Sequence, residues 1–394
     1  MKGNALVGQS GGPTAVINAS LLGVVEAALS QSDIGHVYGM KYGIEGFMAG
    51  ELVDFGTFDR GHLKKLKHTP GSALGSTRKK LTDDDLPTIK ELLEKHNIRY
   101  FFLIGGNDTM DTINRVEQYC RSVGYELRGV GVSKTVDNDL FGTDHTPGFP
   151  SAARYVALSV LQGGRLAADM QRVDKFVVHQ TVGRDAGWLA ASAALAKKRE
   201  QDAPHLIYIP ERPLVRDKVI TEVEDVIARY GWCSIVIGEG ALWDDGTPVS
   251  ATQVTDSFKN PEFGAMGGAS AALSLHKLIR ESLGVRGEFQ ITESLPMCAS
   301  DRVSLIDREE AYSCGQTAVN YAMAGKSGVM VTIERLSSVP YKWGHGEIAL
   351  SEVARKTKPM PDEFIAESGS YVTDAFIDYL APLVGELEDY AVLF

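Results

Sequence analysis

The sequence predicts an α/β protein with a mostly parallel sheet covered by helices. Two observations carry this. Apolar runs of strand length alternate with stretches of helical periodicity along most of the chain, the βαβ rhythm of a parallel sheet. Five of those runs also end in glycine-marked clusters of polar side chains, where open α/β sheets place their ligands. The 394 residues, 44% apolar and 23% charged, suffice for two domains and a large buried core.

The elements follow in order. Ala5 to Gly8 reads as a strand, Thr14 to Leu29 as a helix, and His36 to Tyr42 as the next strand. Asp83 to Lys95 is a helix, because Leu86, Ile89, Leu92 and Leu93 fall on one face. Tyr100 to Ile104 is a strand, Thr109 to Tyr119 a helix, and Leu127 to Val132 a strand. The same reading gives helices at Ser151 to Leu161, Trp188 to Lys198, Val219 to Tyr230, Glu309 to Ala324 and Asp374 to Leu383. It gives strands at Lys175 to Gln180, Leu206 to Ile209, Ser234 to Ile237 and Gly328 to Ile333. Turn-rich Phe141 to Pro150 reads as an interdomain crossing, and polar Asp244 to Asn260 as a loop or flap.

Bulk properties exclude some functions. A net charge of -11 argues against a nucleic-acid or anionic-membrane surface, yet leaves room for a local basic pocket that holds a phosphorylated substrate. Cys120, Cys233, Cys298 and Cys314 are far apart and form no CxxC pair, so they read as reduced thiols of a cytoplasmic protein. Ala15 to Ser30 is apolar, but Asn18 and Glu26 interrupt it, so it reads as a buried helix rather than a signal peptide. No run is long enough to span a membrane.

The chemistry gathers at the strand ends. After Leu127 to Val132 comes KTVDND: two carboxylates and an amine that could supply a base, a metal anchor and a charge clamp for phosphoryl transfer. Asp and Asn there would equally serve as turn residues. The first turn, GQSGGPT, lets backbone amides such as those of Gly11 and Gly12 approach an anion, although it matches neither GxGxxG nor GxxxxGK[ST]. IGGNDT brings Gly106 for close approach, with Asn107 and Asp108 as oxygen ligands suited to Mg²⁺ or as a helix N-cap. TPGSALGSTRKK offers Arg78 for bidentate phosphate contacts, while Lys79 and Lys80 read as a solvated cluster. HQTVGRDAGW places Arg184 after a glycine at a helix start, and SIVIGEGA places Glu239 between two glycines.

Together these segments, in order from Val7 to about Tyr390, resemble the phosphofructokinase family and its pyrophosphate-dependent branch. The resemblance implies two similar Rossmann-like three-layer domains with the active site in the cleft between them. One domain, 1–145 plus about 300–350, would bind pyrophosphate and Mg²⁺; the other, 146–299 plus about 351–394, would bind the sugar phosphate. It also implies a cytoplasmic homodimer or homotetramer, with pyrophosphate and fructose 6-phosphate as substrates. Asp108, where ATP users carry glycine, and Lys134 are the pyrophosphate signature.

By the same resemblance Asp137 is the base for the sugar 1-hydroxyl, and Thr135 and Asp139 position sugar and base. Gly11, Gly12, Arg78, Gly106 and Asp108 bind pyrophosphate. Asn107 and Asp108 hold the metal. Val182, Gly183, Arg184 and Glu239 bind the sugar phosphate, with Lys175 reaching the 6-phosphate of a neighbouring subunit. Four departures stand out. Asn107 replaces an aspartate, Val182 a methionine and Ser133 a proline. SLPMCAS, Ser294 to Ser300, replaces a Tyr/His-x-Gln-Arg segment, so Met297 falls at the phosphate-binding arginine and Arg302 is the candidate substitute. The alternatives are an ATP-dependent phosphofructokinase, a pyrophosphate-dependent kinase of another phosphoketose, a lipid or NAD kinase, and a catalytically silent regulatory subunit.

Overall fold

The computed structural model describes residues 1–250, 270–354 and 356–393. In chain order the strands are β1 (Gly3–Gln9), β2 (Ile34–Met40), β3 (Leu52–Asp54), β4 (Ile98–Gly105), β5 (Arg128–Ser133), β6 (Phe176–Thr181), β7 (Leu206–Tyr208), β8 (Cys233–Gly238), β9 (Gly287–Ile291), β10 (Val329–Ser338) and β11 (Tyr341–Ala349). The helices are α1 (Ile17–Leu29), α2 (Gly43–Met48), α3 (Arg60–Lys64), α4 (Asp85–Lys95), α5 (Asn107–Ser122), α6 (Phe149–Asp169), α7 (Trp188–Ser192), α8 (Arg216–Tyr230), α9 (Ala271–Leu283), α10 (Leu305–Met323), α11 (Leu350–Val353) and α12 (Asp374–Val384).

They form two compact units, Met1–Ser151 with Met297–Lys358, and Ala152–Pro296 with Pro359–Phe394. The boundary falls inside α6, so Phe141 to Pro150 is not the crossing that its turn residues suggested. Its loop belongs wholly to the first unit, where Thr143 and Asp144 bond to Ile333. The flap proposed at Asp244 to Asn260 lies outside the described residues from 251 onward.

The first unit holds a seven-stranded sheet of order β11-β10-β5-β4-β1-β2-β3. Strands β10, β5, β4, β1 and β2 run parallel, and the antiparallel β11 and β3 close the edges. Strand alternation sorts the core. Tyr100, Phe102 and Ile104 of β4 face α1 and α10, whereas Phe101 and Leu103 face α4 and α5, giving three layers. Helices α1 and α10 cross at bare backbone. A Cβ on Gly23 would lie 2.0 Å from the Tyr312 carbonyl oxygen, and one on Gly315 2.1 Å from that of Ser20.

The second unit holds an all-parallel sheet of order β7-β8-β6-β9. Strands β6 and β8 are buried along their whole length, including the polar His179, Gln180, Thr181 and Ser234. Val178, Ile235 and Ile237 pack with Val219 and Val223 of α8 and Leu275 and Ile279 of α9. The sequence reading missed α2, β3, α3, α9, β9, β11 and α11. β11 is a half-exposed edge strand whose glycines and charges (YKWGHGEIA) hide the alternation. Conversely, Trp188 to Lys198 is a five-residue α-helix followed by a 3₁₀ turn, Ala193–Ala196, not one long helix.

Candidate active site

In the first unit the functional side chains gather at the carboxyl ends of β1, β4 and β5, three adjacent parallel strands. Strand order reverses here: β2 lies on one side of β1, and β4 and β5 on the other. Loops leaving a switch point diverge and open a crevice for ligand.

Lys134 ties the strand ends together. Its backbone N–H donates to Gly105 O at 3.1 Å, and its Nζ donates to Gly12 O at 2.7 Å. A Cβ on Gly11, whose φ is +77°, would sit 3.3 Å from that Nζ. Gly11 therefore supplies both a left-handed turn and clearance for the ammonium. Lys134 is buried. Burial lowers its pKa to about 8, against the opposing pull of Asp137 and Asp139. It thus keeps most of its charge at neutral pH in a place of weak screening.

The Arg78 loop is docked by two buried amides. Gln9 Oε1 accepts from Leu74 N–H at 3.0 Å, and Asn18 Oδ1 from Ala73 N–H at 2.9 Å. Gly11 N–H then donates to Thr77 O at 3.2 Å, which sets Arg78 one residue beyond this contact on an exposed rim. Asn18, read from sequence as an interruption of an apolar helix, anchors this loop.

Beyond Lys134 burial alternates: Thr135, Asp137 and Asp139 are partly exposed, while Val136, Asn138 and Leu140 are buried. Thr135 Oγ1 accepts from Asp137 N–H at 3.1 Å, fixing the turn that carries the carboxylate. Asp139 Oδ2 accepts from Asn107 Nδ2 at 3.4 Å, and Asp108 is exposed in the first turn of α5.

Asn107 is the position to test for a metal. Its Oδ1 is buried and accepts no hydrogen bond. A buried amide oxygen without a donor costs roughly 1–3 kcal/mol, a cost that a cation would relieve. Among the described residues no three His, Cys, Asp or Glu side chains form a metal cage. The set of Asn107 with Asp108 and Asp139 nearby therefore fits Mg²⁺, which takes few protein ligands and completes its shell with water and phosphate oxygens. It does not fit a cation that demands an all-protein cage.

Two more residues of this unit bear on the altered segment. Met297 Sδ would lie 3.5 Å from a Cβ on Gly12, so a thioether sits against the first glycine turn. Arg302 pairs loosely with Asp301, 3.7 Å from Nε to Oδ2.

The second unit carries its own cluster, after the carboxyl ends of β6 and β8. Gly183, at φ +122°, donates its N–H to Glu239 Oε1 at 3.2 Å. Val182 is buried and Arg184 exposed. Desolvation raises the Glu239 carboxyl to about 7, more than the Gly183 hydrogen bond lowers it. Glu211, unremarked in the sequence, accepts the Gly187 and Met360 N–H groups at 3.0 Å and braces the Arg184 turn. Lys175 does not join this cluster. It precedes β6, at the opposite end of the strand from Gly183, with its Nζ 3.4 Å from Gly231 O.

A family model described as phosphofructokinase matches residues 4–322. The chain is 39% identical, over 97% of its length and 91% of the relative's, to the pyrophosphate–fructose 6-phosphate 1-phosphotransferase of Halomonas elongata. It is 31% identical to the sulfofructose kinase of Alkalicoccus urumqiensis, over 93% of this chain and 92% of that one. The crystal structure of the pyrophosphate-dependent phosphofructokinase from Nitrosospira multiformis superposes with a TM-score of 0.89 at 38% identity, covering 99% of this chain and 94% of that one. With its strand-end glycines, its KTVDND turn and these full-length likenesses, the chain belongs to the phosphofructokinase family.

Proposed function

We propose that this chain reversibly transfers a phosphoryl group from pyrophosphate to the 1-hydroxyl of fructose 6-phosphate, giving fructose 1,6-bisphosphate and phosphate. The observation that carries this is Lys134, a buried ammonium bonded to both the β1 and β4 turns, three residues from the exposed side of Asp137. Relatives of nearly full length bear that name.

In this reading Asp137 accepts the 1-hydroxyl proton as the sugar oxygen forms its bond to phosphorus. The P–O bond within pyrophosphate breaks, and phosphate leaves. Lys134 and Arg78 offset the negative charge on the transferring group, and the Gly11, Gly12 and Gly106 amides approach the phosphates. Thr135 and Asp139 hold the base and the sugar. Mg²⁺, when held by Asn107 and Asp108, would neutralise phosphate charge. Gly183, Arg184 and Glu239 bind the acceptor, with Val182 as apolar wall and Arg302 for its phosphate, while Lys175, remote from this cluster, reaches the 6-phosphate held by a neighbouring subunit. The setting is a cytoplasmic glycolytic enzyme that works as a homodimer or homotetramer; among the described residues no helix is long and apolar enough to cross a membrane.

A substrate panel tests the reading. Phosphate release from pyrophosphate that requires fructose 6-phosphate supports it; turnover with ATP and none with pyrophosphate refutes the donor. A second acceptor belongs in the panel. Met297 is apolar where the family resemblance places a phosphate-binding arginine, and one relative is a sulfofructose kinase. A sulfonated fructose, with a singly charged distal group, asks less of that position than a phosphate dianion. A higher kcat/KM for it than for fructose 6-phosphate would replace the acceptor and leave the donor chemistry intact.

A further inference from the structure

Behind the KTVDND turn stands a lysine that belongs to none of the strand-end motifs. We propose that Lys358 is a positioning residue for phosphoryl transfer, holding the turn from Asp137 to Asp144 so that the Asp137 and Asp139 carboxylates stay presented on one side. The proposal rests on the functional reading above.

Hydrogen bonds from several parts of the turn converge on Lys358. Its Nζ donates to Asn138 Oδ1 at 3.2 Å, to Thr143 O at 3.1 Å and to Asp144 O at 2.8 Å. An ammonium has three protons, and these three acceptors match them. Its backbone N–H donates to Asp139 O at 2.8 Å, and the preceding Thr357 bridges Leu140. One residue thus grips the turn by its side-chain amide, by its backbone at Asp139 and by the carbonyls where the loop returns.

Asn138 is the point of leverage. It is fully buried between the two partly exposed aspartates, and its φ of +55° places it in the left-handed region. Asn tolerates that region better than most residues, but the conformation still needs support from its surroundings. The support is its Oδ1, which accepts from Lys358 Nζ and from Thr146 N–H at 3.2 Å. A rotation at Asn138 would swing Asp137 and Asp139 relative to each other. Misplacement of a reacting group by about 1 Å costs on the order of a hundredfold in rate. Desolvation also lowers the Lys358 pKa to about 7, with Asp144 and Asp139 opposing the shift.

The test compares Lys358→Met, Asn138→Ala and the double variant with the intact chain. The donor and acceptor used are those that the substrate panel identifies. Lys358→Met is expected to lower kcat roughly thirty- to a hundredfold, with both KM values within about threefold. The double variant is expected to lose far less than the product of the two single losses, because both act by loosening the same turn. Hydrogen exchange should quicken at the amides from 138 to 146 and stay unchanged in the central strands of the same unit. Wild-type kcat in Lys358→Met, losses that multiply in the double variant, or a loss matched by global unfolding each overturns the proposal. Turnover of the intact chain with ATP alone would instead overturn the donor reading, and Lys358 would then be assayed with ATP.

Discussion

At the scale of single residues, environment sets the roles. Asp137 is presented by a turn that its own N–H and Thr135 close, so Asp137→Ala should leave the fold intact and lower kcat by about 10²–10⁴. Retained turnover in a steady-state assay would rule it out as the base. Lys134, depressed to about 8, should impose an alkaline limb on the kcat/KM profile of the free enzyme. Activity should fall as pH rises through that value, and Lys134→Arg, always charged, should move the limb upward. His145 makes a different kind of prediction. Fully buried, it lies 2.7 Å from both Asp144 and Glu310; Arg335 donates to both Asp144 oxygens and Tyr341 to the outer oxygen of Glu310. Burial opposes its charge, but Glu310 and Asp144 outweigh burial and raise its pKa to about 9. The folded value exceeds the unfolded one, so this contribution is complete below about pH 6.5 and disappears as pH rises through 9. It is at most about 3 kcal/mol. Lys134 and Lys358, whose values are depressed, act with the opposite sign at alkaline pH. The measurement is therefore a difference: urea unfolding of wild type minus His145→Gln should shrink from pH 6 to pH 10, and a constant difference would refute the assignment.

At the scale of elements, glycine decides how closely helices approach and carboxamides decide how loops dock. Gly23 and Gly315 bring α1 and α10 to backbone contact. Neither helix can draw back freely at this crossing, because Cys314, Ala318 and Val319 are buried in the same core as Leu21 and Val24. Gly315→Val should therefore destabilise the chain by about 1–3 kcal/mol or more, read as a lower urea midpoint. Asn18→Leu, which extends the apolar run and would look harmless in sequence, removes the anchor of the Arg78 loop. It should raise the KM for pyrophosphate about tenfold with a smaller effect on the acceptor, and equal effects on both would refute the anchor. Most elements were legible in the sequence because periodicity reports burial directly. β4 and β5, buried on both faces, stood out as apolar runs. β11 and β9, half exposed at sheet edges, carry mixed sequences and did not.

At the scale of the whole molecule, the seven-stranded sheet and the four-stranded sheet each end in glycine turns bearing charge, and the chain visits both units twice. The donor should be set by the first unit. Replacing Asp108 with glycine should admit some ATP turnover, and its absence would locate donor choice elsewhere. The sequence by itself determined the α/β class, most strands and helices, and the residue types at each strand end. These depend on local periodicity and on turn chemistry that only a few residues supply. The tertiary structure alone decided which of those ends meet. It joined Lys134 to Gly12, more than a hundred positions away, and Asn18 to the Arg78 loop. It set Met297 against the first glycine turn and left Lys175 at the far end of its strand. It also brought Lys358, 220 positions from Asn138, beneath the KTVDND turn. Contacts at that separation leave no periodic trace in a single chain. They arise from the order in which strands enter the sheet, which local patterns do not encode.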